Sequence, residues 1–193
     1  MSPKRILTDR DSALPALAET FREHGFAGAT LAALSKATGL GKGSLYNFFP
    51  GGKEEMMDAV LENIDGWFAD AIFSPLEHAL DPAATVTAMF DDVTAYFRSG
   101  RRICLVGSLG LNSDGEPFSA KVKEYFVRWI SALAHCLEAG KVPPAYALEL
   151  AEEAVSGIQG AIVLARALGD DAIFLRIVHR LRATLLDAIG RYG

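Results

Sequence analysis

Apolar residues in this chain recur at intervals of three and four, and an alternation of period two never persists. That spacing lines up hydrophobic side chains on one stripe of an α-helix, whereas a half-buried strand needs every second residue apolar. The chain is therefore expected to be all-α. Asp11 or Ser12 opens a first helix that tolerates Pro15 in its first turn, presents Leu14, Leu17, Ala18 and Phe21 on one face, and stops at Gly25. Thr30 is placed as the N-cap of a short second helix ending near Thr38, with Leu31 and Leu34 inward, and Gly39-Leu40 make a tight turn into a third. Two short helices joined at a glycine turn read as a helix-turn-helix.

Pro50-Gly51-Gly52 ends the third helix, and Lys53-Glu54-Glu55 opens a long fourth with Met56, Met57, Val60, Leu61, Ile64, Trp67 and Phe68 on its apolar stripe. Helices follow near 82–99, 116–139, 144–168 and 170–190, separated by the loop sequences RSGRR, LNSDGEP, AGKVPP and LGDD. The glycine-broken apolar stretch from Ile103 to Asn112 is read as a short buried helix, which brings the total to about nine. The expected division is a helix-turn-helix domain over 1–52 and a helical domain over 53–193.

Several chemistries are disfavoured. The glycines of GLGKGS lack both the GxxxxGK spacing and the preceding buried strand of a phosphate loop. His24, His78, His135 and His179 have no metal-ligand spacing, and Asp91-Asp92 and Glu152-Glu153 are adjacent, so neither pair turns both carboxylates to one site. Cys104 and Cys136 stand alone and are expected to be buried thiols. No catalytic residue, metal or cofactor is expected. No run of about 18 uncharged apolar residues occurs, and MSPKRILTDRD lacks the apolar centre of a signal peptide, so the expected location is the cytoplasm.

Charge is distributed unevenly. Residues 1–53 carry seven basic and four acidic residues, residues 54–193 twelve and twenty, and no acidic residue falls between His24 and Lys53. That window, with Lys36, Lys42 and Lys53, is the one long stretch able to face polyanionic phosphate without repulsion. On a wheel of the third helix, Lys42, Gly43, Tyr46 and Asn47 share one arc, Leu45, Phe48 and Phe49 lie opposite, and Ser44 sits at the border. Glycines at the start of a recognition helix let backbone approach phosphate, Lys42 brings charge, and Ser44 and Tyr46 can donate hydrogen bonds. The competing reading is a merely solvated face.

The segment TFREHGFAGATLAALSKATGLGKGSLYNFF, followed by Lys53-Glu54-Glu55, resembles the DNA-binding domain of the TetR (tetracycline-repressor) family, and FFPGGKEE resembles its LmrA/YxaF-like branch. The resemblance implies that Thr30, Lys42, Ser44, Tyr46, Asn47 and Lys53 contact operator DNA. Gly41 departs from it, standing where the family often has a capping serine, and the extra glycine before Lys53 alters the reach of that lysine.

Gly157, Gly160 and Ala161, together with Ser156 and Ala165, keep one helix surface thin, and Phe174, Ile177, Val178, Leu181 and Leu185 form a stripe on the next helix. The competing reading is an intramolecular core; the resemblance implies instead a homodimer interface of four helices. Trp67, Phe68, Phe90, Tyr96, Phe97, Phe126 and Trp129, with Tyr125, are core filling by default, and the resemblance implies that they enclose a mainly apolar effector pocket with Tyr96, Trp129 and Gln159 as orienting polar groups. The expected function is a ligand-responsive, dimeric DNA-binding regulator, most naturally a repressor released from a palindromic operator. The alternative is a helical ligand-binding or catalytic protein that keeps the helix-turn-helix as scaffold.

Overall fold

Asp9 caps the first helix slightly ahead of the expected start: its Oδ1 accepts a hydrogen bond from the Ser12 backbone N–H at 2.7 Å and its carbonyl accepts from Ser12 Oγ at 3.0 Å. The computed structural model describes residues 9–111 and 117–193, and every regular element among them is helical. These are α1 (Arg10–Gly28), α2 (Leu31–Thr38), α3 (Lys42–Phe48), α4 (Gly52–Phe68), α5 (Ser74–Glu77), α6 (Pro82–Tyr96), α7 (Leu105–Gly110), α8 (Ser119–Ala139), α9 (Pro144–Leu168) and α10 (Asp171–Tyr192). A π-helical turn, Ala69–Phe73, joins α4 to α5 without a break, so the described residues form nine rods, as the periodicity implied. The start of the helix expected at 116, like residues 112–116 of LNSDGEP, lies outside the described residues.

Contacts divide the chain into two units. The first comprises the described residues up to Asp65 and those between Leu105 and Val122, so it extends beyond the expected 52/53 division into α4 and takes in α7 and the start of α8. Its core is built from Leu14, Leu17 and Phe21 of α1, Leu34 of α2, Leu45 and Phe49 at α3, and Met56, Met57 and Val60 of α4, all buried. α7 packs against α1. Lys121 Nζ donates to Asp58 Oδ1 at 2.8 Å and Glu62 Oε1 at 3.1 Å, tying the start of α8 to two successive turns of α4. Burial opposes the Lys121 charge, the two carboxylates outweigh it, and the net shift of its pKa is upward. This contribution is complete below the unfolded ammonium's pKa of about 10.4 and is lost as pH rises through the higher folded value.

Gly25 ends the regular part of α1, as expected. Its φ of 69° with ψ of 174° is a backbone state essentially reserved for glycine, and the chain leaves the helix axis there although helical turns resume up to Gly28.

In the second unit, Gly66–Cys104 with Lys123–Gly193, α9 packs along α10 and α10 along α6. The helix expected over 82–99 stops at Tyr96 because the chain turns through positive φ at Arg98, Ser99 and Gly100. Gly100 thereby lies against α9 and α10: a Cβ there would stand 2.7 Å from Phe174 Cβ and 3.0 Å from Ala165 Cβ. Both thiols are buried, as expected, and burial pushes Cys136 up to about 11. Gly100→Ala is expected to cost about 1–3 kcal/mol through overpacking against Phe174, in addition to its backbone strain. Chemical denaturation of the two proteins measures the difference.

Candidate nucleic-acid interface

A seven-residue helix carries the proposed readout. α3 begins after Gly41, whose φ of −68° and ψ of 159° are those of an N-cap although it offers no side chain to bond the first turn. Leu45 and Phe49 lose all exposure, Phe48 is half-buried, and Lys42, Gly43, Ser44, Tyr46 and Asn47 are exposed, Tyr46 by 49 %. The wheel therefore assigned the two faces correctly, and Ser44 falls on the outward one. Phe49 lies one residue past α3, with φ −134° and ψ 76° turning the chain toward Gly51.

The turn into α4 is fixed by a carboxylate. Glu55 Oε2 accepts from the Gly51 N–H at 2.7 Å, its Oε1 lies 3.7 Å from Arg10 Nη2, and the Arg10 guanidinium sits 5.2 Å from the centroid of the Phe49 ring. Arg10 was not singled out in the sequence, and Glu55 was read only as part of the start of the fourth helix. The only trace there was Glu55 itself, four residues after Gly51, the spacing of a side chain that reaches back over a helix start.

Thr30 caps α2 as expected, its Oγ1 accepting from the Ala33 N–H at 3.2 Å while its hydroxyl proton stays available at the exposed surface. Lys53 is half-buried rather than free: its Nζ donates to the Ala27 carbonyl at 3.3 Å and stands 4.6 Å from the centroid of the Phe26 ring. Phe26 was missed by the sequence reasoning, since it falls on no helical stripe. Gly25 beside it was the sole signal.

In the second unit the predicted aromatic residues largely converge. Phe68 makes ring contacts with Tyr96 at 5.0 Å, Trp129 at 5.3 Å, Tyr125 at 5.0 Å and Phe97 at 6.4 Å, and Trp67 stacks on Tyr96 at 4.5 Å. Phe126 touches the cluster through Tyr125. Trp129 Nε1 and Gln159 Nε2 are buried with no hydrogen-bond partner among the described residues. Three of the predicted lining residues face surface grooves as well: Phe126 and Gln159 line one of about 750 Å³ between α8 and α9, and Phe90 one of about 730 Å³ between α6 and α10.

The predicted dimer residues pack largely within the single chain. Ala161, Phe174, Val178, Leu181 and Leu185 are buried within the single chain, and Gly157 and Ile177 are half-buried. A Cβ on Gly157 would come within 2.8 Å of Leu181 Cδ1, so the thin surface of α9 receives α10 of the same chain. Gly160 is exposed and stands on the outward face of α9 near Val163 and Leu164, which are 59 % and 45 % exposed.

No group of three or more His, Cys, Asp or Glu among the described residues could hold a metal ion, and no helix among them is long and apolar enough to cross a membrane. An outward acid-free recognition helix on a packed three-helix base, joined to a helical unit, is the build of a helix-turn-helix DNA-binding regulator. Residues 14–60 match the family described as bacterial regulatory proteins of the tetR family, and residues 82–180 match the C-terminal domain of LmrA/YxaF-like transcriptional regulators. The HTH-type transcriptional regulator Rv0196 of Mycobacterium tuberculosis is 30% identical over 188 residues, covering 93% of this chain and 94% of its own. A TetR regulator from Legionella pneumophila shares the fold with a TM-score of 0.79 at 21% identity, covering 93% of this chain and 98% of that one. CifR, solved with 26-base-pair operator DNA, superposes with a TM-score of 0.69 at 24% identity, covering 96% and 97%. The chain belongs to the TetR family of transcriptional regulators, with a C-terminal domain of the LmrA/YxaF-like kind. These relatives are DNA-binding regulators, not enzymes.

If the outward arc of α3 meets DNA, Lys42→Ala lowers the slope of log affinity against log salt by about one unit, the value for one lost phosphate contact. Tyr46→Phe weakens binding with the slope unchanged. Anisotropy titrations at several salt concentrations test both, and unchanged affinity in each would remove α3 from the interface.

Proposed function

We propose that this regulator is a homodimeric repressor that is released from a palindromic operator by a small, mainly apolar effector. Thr30, Lys42, Gly43, Ser44, Tyr46, Asn47 and Lys53 form its DNA face, and the protein works in the cytoplasm, where its operator lies. Two recognition helices entering successive major grooves must sit about 34 Å apart, which a two-fold dimer supplies. The outward face of α9, with Gly160, Val163 and Leu164, is the surface we assign to that dimer, because it is apolar, exposed and thin at Gly160.

One observation carries the effector reading. Trp129 Nε1, in the ring cluster around Phe68, and Gln159 Nε2, on the groove that Phe126 lines, are buried donors with no hydrogen-bond partner among the described residues. An unsatisfied buried donor costs about 1–3 kcal/mol, which a ligand bearing acceptors offsets on binding. Aromatic rings beside buried donors fit a flat molecule carrying carbonyl or ether oxygens better than a sugar phosphate or a metal ion. α4 and α8 are the helices whose residues belong partly to each unit, so they are the routes by which effector binding reaches the DNA-binding helices. A hundredfold loss of operator affinity requires the effector to favour the released state by about 2.7 kcal/mol.

The experiment is an anisotropy titration of the duplex flanking the protein's own coding region, with and without a planar aromatic ketone such as xanthone. Binding of two chains per duplex and release by the ketone are expected; absence of any ketone-dependent release across a panel of such compounds defeats the effector reading. Gln159→Leu should leave the thermal midpoint unchanged or raised, since it removes a desolvated amide, while weakening ketone binding about tenfold. Val163→Glu should turn the protein monomeric by sedimentation without unfolding it, and a persisting dimer relocates the interface.

A further inference from the structure

Phe26, Lys53 and Phe118 come from three different elements and meet at one ring. The Gly25 turn carries Phe26 off the axis of α1, Lys53 comes from the first turn of α4, and Phe118 immediately precedes α8. The Phe118 ring stands edge-on to Phe26, at 5.1 Å between centroids and 77° between planes, and Phe118 is 3 % exposed. Phe21 stacks against the same ring at 6.2 Å and 29°. Held by one neighbour parallel and another perpendicular, the Phe26 ring has a fixed orientation, and the Lys53 ammonium sits 4.6 Å from its centroid.

We propose that Phe118 is a positioning residue for Lys53, acting through the Phe26 ring to hold the ammonium where it meets operator phosphate. The inference rests on the reading of Lys53 as a phosphate contact. A lysine has four flexible bonds, and its charge is spread over many places unless the side chain is held. Here a ring face attracts the cation and the Ala27 carbonyl at 3.3 Å takes one of its three protons, leaving two to face phosphate oxygens. A second strut comes from the same segment: Lys121, three residues beyond Phe118, grips Asp58 and Glu62 on the helix that Lys53 begins. Phe118 and Lys121 thereby belong to the DNA-binding apparatus although they are distant from the helix-turn-helix in sequence.

The test uses the full-length protein with carbon-13-labelled lysine, and Lys53→Ala to assign the Lys53 signals. A lysine held over a ring face shows methylene protons shifted upfield by the ring current. In Phe118→Ala these signals are expected to move to the positions of a free lysine while those of Lys36 and Lys42 stay in place. Affinity for a mixed-sequence B-DNA duplex, where phosphate contacts act without base readout, supplies the second measurement. Phe118→Ala is expected to weaken binding several-fold, and the Phe118→Ala/Lys53→Ala double variant to bind no worse than Lys53→Ala alone. Phe118→Leu, which retains most of the buried volume without the ring edge, gives the same readout if the alanine variant does not fold. Unmoved Lys53 signals, or losses that simply multiply in the double variant, overturn the positioning role. If Lys53→Ala leaves both affinity and salt slope unchanged, the phosphate contact falls and the proposal with it, and the lysine signals distinguish that failure from failure of the ring contact.

Discussion

A seven-residue helix has no stability of its own in water, because helix nucleation costs more than so few hydrogen bonds return. Everything α3 does therefore depends on the burial of Leu45 and Phe49, which are fully removed from solvent. That anchorage decides which way Lys42, Ser44, Tyr46 and Asn47 point. It is reinforced at the exit of the helix by Arg10 over the Phe49 ring and by Glu55 closing on the Gly51 N–H. Polar residues exposed on a surface are ordinary; polar residues exposed on a short helix whose opposite side is locked at two aliphatic and aromatic anchors form a rigid face.

Phe26 extends the same principle to charge. An exposed lysine is a diffuse charge, and pairing it with an acid would neutralise it. An aromatic face and a backbone carbonyl orient it without cancelling it, which is compatible with a surface that must attract phosphate. The absence of acidic residues from His24 to Lys53 and the ring beside Lys53 both leave the positive charge of this stretch uncancelled.

The second unit presents the opposite situation. Its aromatic residues are satisfied by one another in edge-on and stacked pairs, which is favourable packing, yet Trp129 Nε1 and Gln159 Nε2 are left without acceptors. Buried donors of this kind are rare in native cores, and these two are without a partner among the described residues. The α9–α10 seam shows no such cost: Leu181 fills the space above Gly157, and the small residue serves the fold of one chain.

How far the sequence reached follows from what periodicity encodes. A repeat of three and four states which side of a helix is buried, so the all-helical class, the ends at Thr30 and Gly25, and the two faces of α3 were legible, as was the family resemblance carried by that segment. The repeat does not state what the buried side is buried against. The stripe from Phe174 to Leu185 was open to a partner chain or to α9 of its own chain, and only the structure shows Leu181 of that stripe over Gly157. Phe26 lies on no stripe, so its contacts with Lys53 and Phe118 were invisible until α1, α4 and the residues before α8 were placed together. The sequence by itself determined the helices and the face of α3 turned to solvent, because those depend on neighbours three and four residues apart. The tertiary structure alone decided which distant side chains meet, because that depends on how the helices close around a shared core.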